Sequence, residues 1–366
     1  MIIRSLELKD YRNYETLNIA LDDGINIFYG DNAQGKTNIL EGIYLAATTK
    51  SHRGSKDKEM IRFGQNEAHI RMHIEKNDMS HRVDMHLKRN KAKGCAIDGI
   101  PIRKSSELLG LMHVVFFSPE DLTIIKNGPA ERRRFVDMEL CQLNRVYLGD
   151  IAAYNKVVLQ RNNLLKQMSR DDQFESMLDV WDEQLVRYGT RVINERTRFI
   201  SELSELIGPI HEKISGGREH LVLKYEPNVS AEQFAIELAM HRENDKRLGS
   251  TSYGPHRDDL GFYIDGLNVR QYGSQGQQRS TALSLKLAEI ELVRRNIHDT
   301  PVLLLDDVLS ELDSYRQNYL LESINDIQTV ITCTGLDEFV NHRMNINQVY
   351  YVENGHATHG QEVKDE

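Results

Sequence analysis

The sequence reads Gly30-Asp31-Asn32-Ala33-Gln34-Gly35-Lys36-Thr37 between an apolar stretch at residues 25–29 and a helical pattern at residues 38–47. This octapeptide matches G-x-x-x-x-G-K-[ST] in full, and a strand before it with a helix after it is the setting that the motif requires. Gly30 and Gly35 permit backbone angles and a close ligand approach that a Cβ would block. Since loop amides and a helix N-terminus favour anions, the stretch predicts an α/β fold that cradles phosphate groups.

The polar side chains of this loop suit a nucleoside triphosphate bound with Mg²⁺. Lys36 offers a positive charge to the β- and γ-phosphates, and Thr37 offers a hydroxyl to Mg²⁺. We therefore predict ATP and Mg²⁺ as cofactors, with a chance glycine-containing loop as the alternative. The predicted nucleotide-binding residues here are Gly30, Asn32, Gly35, Lys36, Thr37 and Asn38.

A pair of acids follows an apolar run far along the chain. Residues 302–305 read Val-Leu-Leu-Leu, as expected for a strand buried on both faces, and Asp306-Asp307 follows. A carboxylate at the carboxyl end of such a strand is well placed beside a phosphate-binding loop. We assign Asp306 to Mg²⁺ and Asp307 to the attacking water, so that these acids and Lys36 form the predicted catalytic set. An ordinary acidic turn is the alternative.

A third motif reads Ser274-Gln275-Gly276-Gln277-Gln278-Arg279 and precedes a helical pattern at residues 281–295. Ser274 and Gln277 have the spacing of a capping box, which closes a helix N-terminus. Because such an end favours anions, we predict that Ser274, Gly276 and Gln277 also bind the nucleotide. A simple helix cap is the alternative, and the acidic pair that follows this helix favours the functional interpretation.

Composition sets limits on the partners. The 366 residues carry a net charge of −9, which by itself argues against a simple polyanion binder, although residues 82–93 are rich in Lys and Arg. A solvated face is the alternative for that cluster.

Three widely spaced cysteines without C-x-x-C indicate neither a zinc site nor a disulfide framework. With no signal peptide and no membrane-spanning run, we expect a soluble cytoplasmic protein.

The chain is predicted to be split into two domains. Strand-like patterns dominate the beginning and the end, whereas residues 120–248 have helical periodicity, with Leu178, Leu185 and Val192 on one apolar stripe. We therefore place an α/β domain at residues 1–119 and 249–366, interrupted by a mainly helical domain at residues 120–248.

The order of these parts resembles the ABC-type ATPase heads, and within them the SMC and RecF-like branch. A P-loop, an insertion, an S-x-G-x-Q-type signature and an apolar strand that ends in acids follow one another in both. The insertion is too short for the coiled coils of SMC proteins. Stretches across most of the chain resemble the RecF family of bacterial recombination and gap-repair proteins, namely residues 8–14, 51–53, 57–59, 117–122, 128–137 and 253–259.

This resemblance implies a P-loop ABC-type head, a mixed sheet with flanking helices, that dimerises around two ATP molecules. In such heads the signature serine contacts the γ-phosphate held by the P-loop of the opposite subunit. The resemblance also implies that Arg53 reaches the nucleotide or DNA, and we assign it to the nucleotide, with a surface arginine as the alternative. A weak, DNA-stimulated ATPase would follow, with slow hydrolysis opening the dimer.

The family's partners follow from the same resemblance. It implies a nucleoid-associated protein that binds double- and single-stranded DNA at gaps or junctions and helps load recombinase with the mediators RecR and RecO, without a membrane partner. We place DNA on the basic cluster at Lys88, Arg89, Lys91 and Lys93.

Two other functions stay open at this point. One is a transporter-type ABC ATPase subunit, and the other is a different P-loop enzyme such as a kinase. The transporter histidine after the last strand is missing here, where the chain reads Ile331-Thr332-Cys333-Thr334. Thr332 or Thr334 is then the remaining choice for a γ-phosphate sensor.

Overall fold

The computed structural model describes residues 1–168, 175–336 and 346–360. It divides into two compact units. The first unit contains residues 1–121 and 289–366, and the second contains residues 122–288. None of the helices within the described ranges is long and apolar enough to cross a lipid bilayer.

Strands and helices alternate along the chain. The strands are β1 (Ile2–Tyr11), β2 (Tyr14–Ala20), β3 (Ile25–Tyr29), β4 (Glu67–Lys76), β5 (Met79–Lys88), β6 (Lys91–Ile97), β7 (Ile100–Pro101), β8 (Val114–Phe117), β9 (Leu221–Glu226), β10 (Asp259–Ile264), β11 (Leu267–Asn268), β12 (Val302–Asp306), β13 (Thr329–Cys333), β14 (Ile346–Glu353) and β15 (His356–His359). The helices are α1 (Lys36–Thr48), α2 (Leu122–Lys126), α3 (Pro129–Leu143), α4 (Arg145–Met168), α5 (Glu175–Ser215), α6 (Phe234–Met240), α7 (Arg242–Leu248), α8 (Val269–Tyr272), α9 (Gln275–Ile297) and α10 (Ser314–Ser323).

A mostly parallel sheet forms one layer of the first unit, in the order β15-β14-β3-β13-β12-β8. β12 and β13 are buried at every residue, and for β12 the continuous apolar sequence predicted this. β13 lies between β3 and β12, with Ile331 opposite both Ile27 and Leu305. Because all three strands are parallel, the loop after β3 and the acids after β12 start at the same edge of the sheet.

A second, antiparallel sheet completes the first unit, in the order β2-β1-β4-β5-β6-β7. Its strands alternate between buried apolar and exposed polar residues, so that one face is covered. Helix α1 packs against strands of both sheets and carries Ile39, Leu40 and Ile43 into the shared apolar core. The helix that begins at the P-loop is therefore held from two sides.

The second unit is mainly helical but contains its own small sheet, in the order β11-β10-β9. Helix α5 follows the predicted stripe, and Leu178, Leu185 and Val192 are fully buried. β9 packs on α5 and pairs with β10.

The compact units divide the chain at a different point from the predicted domains. The sequence placed the return to the α/β domain at residue 249, whereas the compact first unit resumes at residue 289. The difference arises because β10 pairs with β9 and not with either large sheet. The first part of α9, which contains the signature motif from Gln275 onward, therefore belongs to the second unit.

A buried ionic network lies inside the second unit. The side chain of Arg196 is 3% exposed, and its guanidinium contacts the carboxylates of Asp137 and Asp258 at 2.8 and 3.0 Å. Asp258 also accepts a hydrogen bond from the backbone N–H of Asn228 at 2.9 Å. Asp137 and Asp258 come from residues 128–137 and 253–259, two of the stretches that resemble RecF, and both take part in holding the second unit together.

We expect Arg196→Ala to lower the free energy of unfolding by about 3–5 kcal/mol, because it leaves two carboxylates without their buried partner. A matched control lies one half-turn along α5, where Arg198 is 62% exposed and pairs with Glu195 at 2.6 Å. Arg198→Ala should cost at most about 1 kcal/mol, since exposed ion pairs contribute little. Urea unfolding followed by helical circular dichroism measures both, and equal losses would contradict this account.

Candidate functional site

A pocket of about 310 Å³ opens at the carboxyl ends of β3, β12 and β13. All of its lining residues belong to the first unit. They come from the P-loop, the start of α1, the acidic pair, the end of β13 and one loop arginine, and they are Asn32, Ala33, Gly35, Lys36, Thr37, Asn38, Arg53, Asp306, Asp307 and Thr332. The structure therefore brings together most of the residues that the sequence assigned to the nucleotide.

The glycines of the P-loop are required by its shape. Gly30 has a φ of +146° and Gly35 a φ of +116°, both in the region that side chains rarely adopt. A Cβ on Gly30 would lie 2.3 Å from the carbonyl oxygen of Val352, and one on Gly35 would lie 2.4 Å from the amide nitrogen of Asn13. A side chain at either position would therefore collide with β14 or with the turn between β1 and β2.

Lys36 folds back over the loop. Its ammonium donates hydrogen bonds to the carbonyl oxygens of Gly30 and Asp31 at 2.5 and 2.7 Å. Burial lowers the pKa of Lys36, while the negative charge of Asp307 acts in the opposite direction. The ammonium is held by neutral carbonyls, so anionic phosphate oxygens would be stronger acceptors for it.

One carboxylate joins three elements at the base of the pocket. The oxygen Oδ1 of Asp306 accepts hydrogen bonds from the hydroxyls of Thr37 at 2.8 Å and Thr332 at 2.7 Å. Thr37 lies in α1, Asp306 ends β12, and Thr332 lies in β13. Carboxylate and hydroxyl oxygens are ligands that Mg²⁺ prefers, so the Thr37 and Asp306 pair fits the predicted metal.

Asp307 is held in an unusual backbone conformation. Its φ of +52° is left-handed, and its backbone N–H donates to the hydroxyl and the carbonyl oxygen of Thr332, both at 3.1 Å. Burial raises the pKa of Asp307, and the neighbouring charge of Asp306 adds to the rise. A carboxylate with a raised pKa is a stronger base, which suits the role that the sequence assigned to it.

Arg53 reaches the pocket from the loop after α1. Its guanidinium lies 3.9 Å from the second oxygen of Asp306 and 3.5 Å from the carboxylate of Glu120. The side chain is 38% exposed, so its charge is accessible to a ligand in the pocket. The assignment of Arg53 to the nucleotide stays a prediction, and its side chain lines the pocket in which the nucleotide would bind.

Sequence reasoning gave no role to Asn13. Its side chain donates to the carbonyl oxygen of Gln34 at 2.9 Å and accepts from the amide of Asn38 at 2.8 Å. Asn13 falls in the opening stretch that resembled RecF, but no local pattern there indicates a contact with the P-loop. Of the two candidate sensor residues, Thr332 lines the pocket, whereas Thr334 is exposed beyond the end of β13.

The signature motif forms the predicted capping box at the start of α9. The hydroxyl of Ser274 accepts from the backbone N–H of Gln277 at 3.2 Å, and the side chain of Gln277 accepts from the N–H of Ser274 at 2.9 Å. Ser274 and Gly276 are exposed, and the amide of Gln277 also donates to Glu219 at 3.1 Å. These residues belong to the second unit, so they do not line the P-loop pocket of the first unit.

The predicted DNA-binding cluster lies at the turn between β5 and β6. Arg89 and Lys91 are exposed, and Lys88 is half-buried. Lys93 differs from them, because its ammonium donates to the carbonyl oxygen of Thr49 at 2.5 Å and pairs with Asp57 at 3.0 Å. With a side chain only 14% exposed, Lys93 serves an internal contact in this structure.

Comparison with known proteins identifies the family. The family model described as RecF/RecN/SMC N terminal domain matches residues 2–358. A protein of Agathobacter rectalis named DNA replication and repair protein RecF is 60% identical over 366 residues, covering 100% of both chains. A protein of the same name from Clostridium botulinum is 42% identical and covers 97% of this chain and 99% of its own.

Solved structures agree in fold. A structure described as the recombination mediator protein RecF with ATP in the RecFOR pathway is 32% identical, has a TM-score of 0.92, and covers 98% of this chain and 97% of its own. A crystal structure of an Smc head has a TM-score of 0.58 at 15% identity, which shows the shared head fold. The predicted ABC-type head with its mixed sheet and helical insertion is confirmed. The chain belongs to the RecF/RecN/SMC family, and within it to the RecF proteins.

Proposed function

We propose that this protein is a DNA-binding ATPase of recombinational repair in which ATP acts as a switch. The observation that carries the proposal is the pocket in which the P-loop meets the Thr37–Asp306–Thr332 junction. A relative of the same fold has been solved with ATP, and relatives along the whole chain are named for DNA replication and repair.

Within the pocket, Lys36 would bind the β- and γ-phosphates by exchanging its carbonyl partners for phosphate oxygens. Thr37 and Asp306 would hold Mg²⁺, which supplies positive charge to the phosphates when it is bound. Asp307 would position the attacking water and accept its proton, because its pKa is raised and its backbone is fixed by Thr332. The N–H groups of the loop and the first turn of α1 would complete the phosphate site.

The second half of the site is proposed to come from another copy of the chain. Ser274 and Gly276 are exposed at the start of α9, a helix of 23 residues whose N-terminus favours an anion. The P-loop pocket is built by the first unit alone. In a two-fold dimer each P-loop would meet the Ser274 segment of the second copy, and two nucleotides would lie at the interface.

DNA is proposed to bind the dimer through three basic residues at the β5–β6 turn, the half-buried Lys88 and the exposed Arg89 and Lys91. Lys93, the fourth basic residue that the sequence assigned to DNA, pairs with Asp57 at 3.0 Å, and its side chain is only 14% exposed. Gapped or junction DNA is the proposed target, with double- and single-stranded parts. RecR and RecO are the proposed mediators through which the complex helps load recombinase.

The chain belongs to the RecF proteins, and this gives no support to the two alternative functions, a transporter subunit or a small-molecule kinase.

The dimer is tested by sizing the protein with ATP and double-stranded DNA. Lys36→Arg and Ser274→Arg should both abolish the ATP-induced dimer, the first by disturbing phosphate binding and the second by placing a bulky side chain at the interface. Ser201→Arg, which changes an exposed serine of α5, is the matched control and should still dimerise. An ATP-induced dimer in Ser274→Arg would refute the sandwich.

Asp307→Asn separates hydrolysis from assembly. The amide cannot accept the proton of water, so we expect ATP turnover to fall by about 100-fold or more while the ATP-induced dimer persists. Phosphate release and sizing measure the two properties in one sample. Glu322→Gln, at an exposed position of α10, should change neither property. ATP hydrolysis at the wild-type rate in Asp307→Asn would show that a group other than Asp307 accepts the proton of water.

The DNA surface is tested by charge reversal at Lys88, Arg89 and Lys91. If each contacts one phosphate, ATP-dependent DNA affinity should fall steeply and its slope against log salt should decrease by about 3. In a control variant the charges of Arg145, Lys156 and Arg187 are reversed. These basic residues are exposed on the second unit, and their reversal gives the same change in net charge. Binding that survives the first set, or fails equally in both, would show that the β5–β6 turn is not the contact surface.

A further inference from the structure

The outer face of the antiparallel sheet carries a group of potential metal ligands that the nucleotide site does not use. Glu67 and His69 lie two residues apart on β4, so their side chains emerge on the same face. His86 lies directly opposite His69 on β5. We call these three residues the Glu-His-His cluster.

The side chains of the cluster already converge. The Nε2 atom of His86 lies 2.7 Å from a carboxylate oxygen of Glu67. The rings of His69 and His86 stack with centroids 4.0 Å apart and planes inclined by 23°. One ligand atom from each residue can be chosen so that all three lie within 4.8 Å of one another.

We propose that the Glu-His-His cluster binds a divalent transition-metal ion, with Zn²⁺ as the ion that it fits best. Imidazole nitrogens and a carboxylate oxygen are a common zinc ligand set, with bonds of about 2.0–2.2 Å. Tetrahedral bonds of that length place ligand atoms about 3.3 Å apart, so small rotations of the three side chains suffice. Hard ions such as Mg²⁺ prefer oxygen ligands and are disfavoured by the two histidines.

The surroundings of the cluster leave room for the ion. Glu67 and His69 are exposed and His86 is half-buried, so the side chains can rotate. The residue opposite His86 on β6 is Gly94, and a Cβ added there would meet no atom within 4 Å.

Two cations flank the cluster and work against an added positive charge. Lys9 lies opposite His69 on β1, and Lys88 lies opposite Glu67 on β5. Lys9 is exposed and Lys88 is half-buried, and the long lysine chain can carry its ammonium into solvent. The negative charge of Glu67 offsets part of the repulsion. An ion held by β4 and β5 would clamp these strands together and leave coordination positions open to water.

The proposal is tested by calorimetric titration of Zn²⁺ into the untagged full-length protein in metal-free buffer. We expect one Zn²⁺ per chain, and an affinity at least tenfold weaker in His69→Gln and in His86→Gln, because each variant removes a direct ligand. His73→Gln is the matched control, since His73 lies on the same outward face of β4. It should bind Zn²⁺ as the wild type does.

A second measurement separates this site from other zinc contacts. Hydrogen exchange of the backbone amides in β4 and β5 should slow when Zn²⁺ is added to the wild type, and should be unchanged by Zn²⁺ in the double variant His69→Gln/His86→Gln. Urea unfolding without metal checks that the variants fold. Equal Zn²⁺ affinity in the wild type and the double variant, or no binding to either, would overturn the proposal.

Discussion

The carboxylate of Asp306 is the point on which the nucleotide site depends. A single oxygen accepts hydrogen bonds from Thr37 and Thr332 and thereby joins the first turn of α1 to the ends of β12 and β13. This contact requires β13 to lie between β3 and β12, with all three strands parallel. The strand order therefore places the acids within reach of the P-loop, although about 270 residues separate them in the sequence.

The P-loop also depends on residues that do not touch the pocket. The carbonyl oxygen of Val352 and the side chain of Asn13 lie so close to Gly30 and Gly35 that no Cβ fits. Asn13 follows β1 of the antiparallel sheet, whereas Val352 lies in β14 of the parallel sheet. Both sheets thus fix the curvature of one loop. Residues from both sheets of the first unit surround the loop. Gly30 and Gly35 supply the positive φ angles and the missing Cβ atoms that this packing requires.

The predicted nucleotide-binding residues are divided between the two compact units. The first unit builds the P-loop pocket, and the second unit presents the Ser274 capping box at the start of α9. The same helix continues past Ala288 into the first unit. The buried pairing of Arg196 with Asp137 and Asp258 belongs to the framework that carries this motif.

The sequence by itself determined the features that depend on neighbouring residues. The P-loop, the buried strand at residues 302–305, the stripe of α5 and the capping box at Ser274 all follow from local spacing and periodicity. Tertiary structure alone decided which distant residues meet. It brought Asn13 to the P-loop and Thr332 to the nucleotide pocket, paired Lys93 with Asp57, assigned β10 to the second unit and aligned His86 with His69. Those contacts depend on strand order and register, which are set by the packing of the whole core and leave no local trace in the chain.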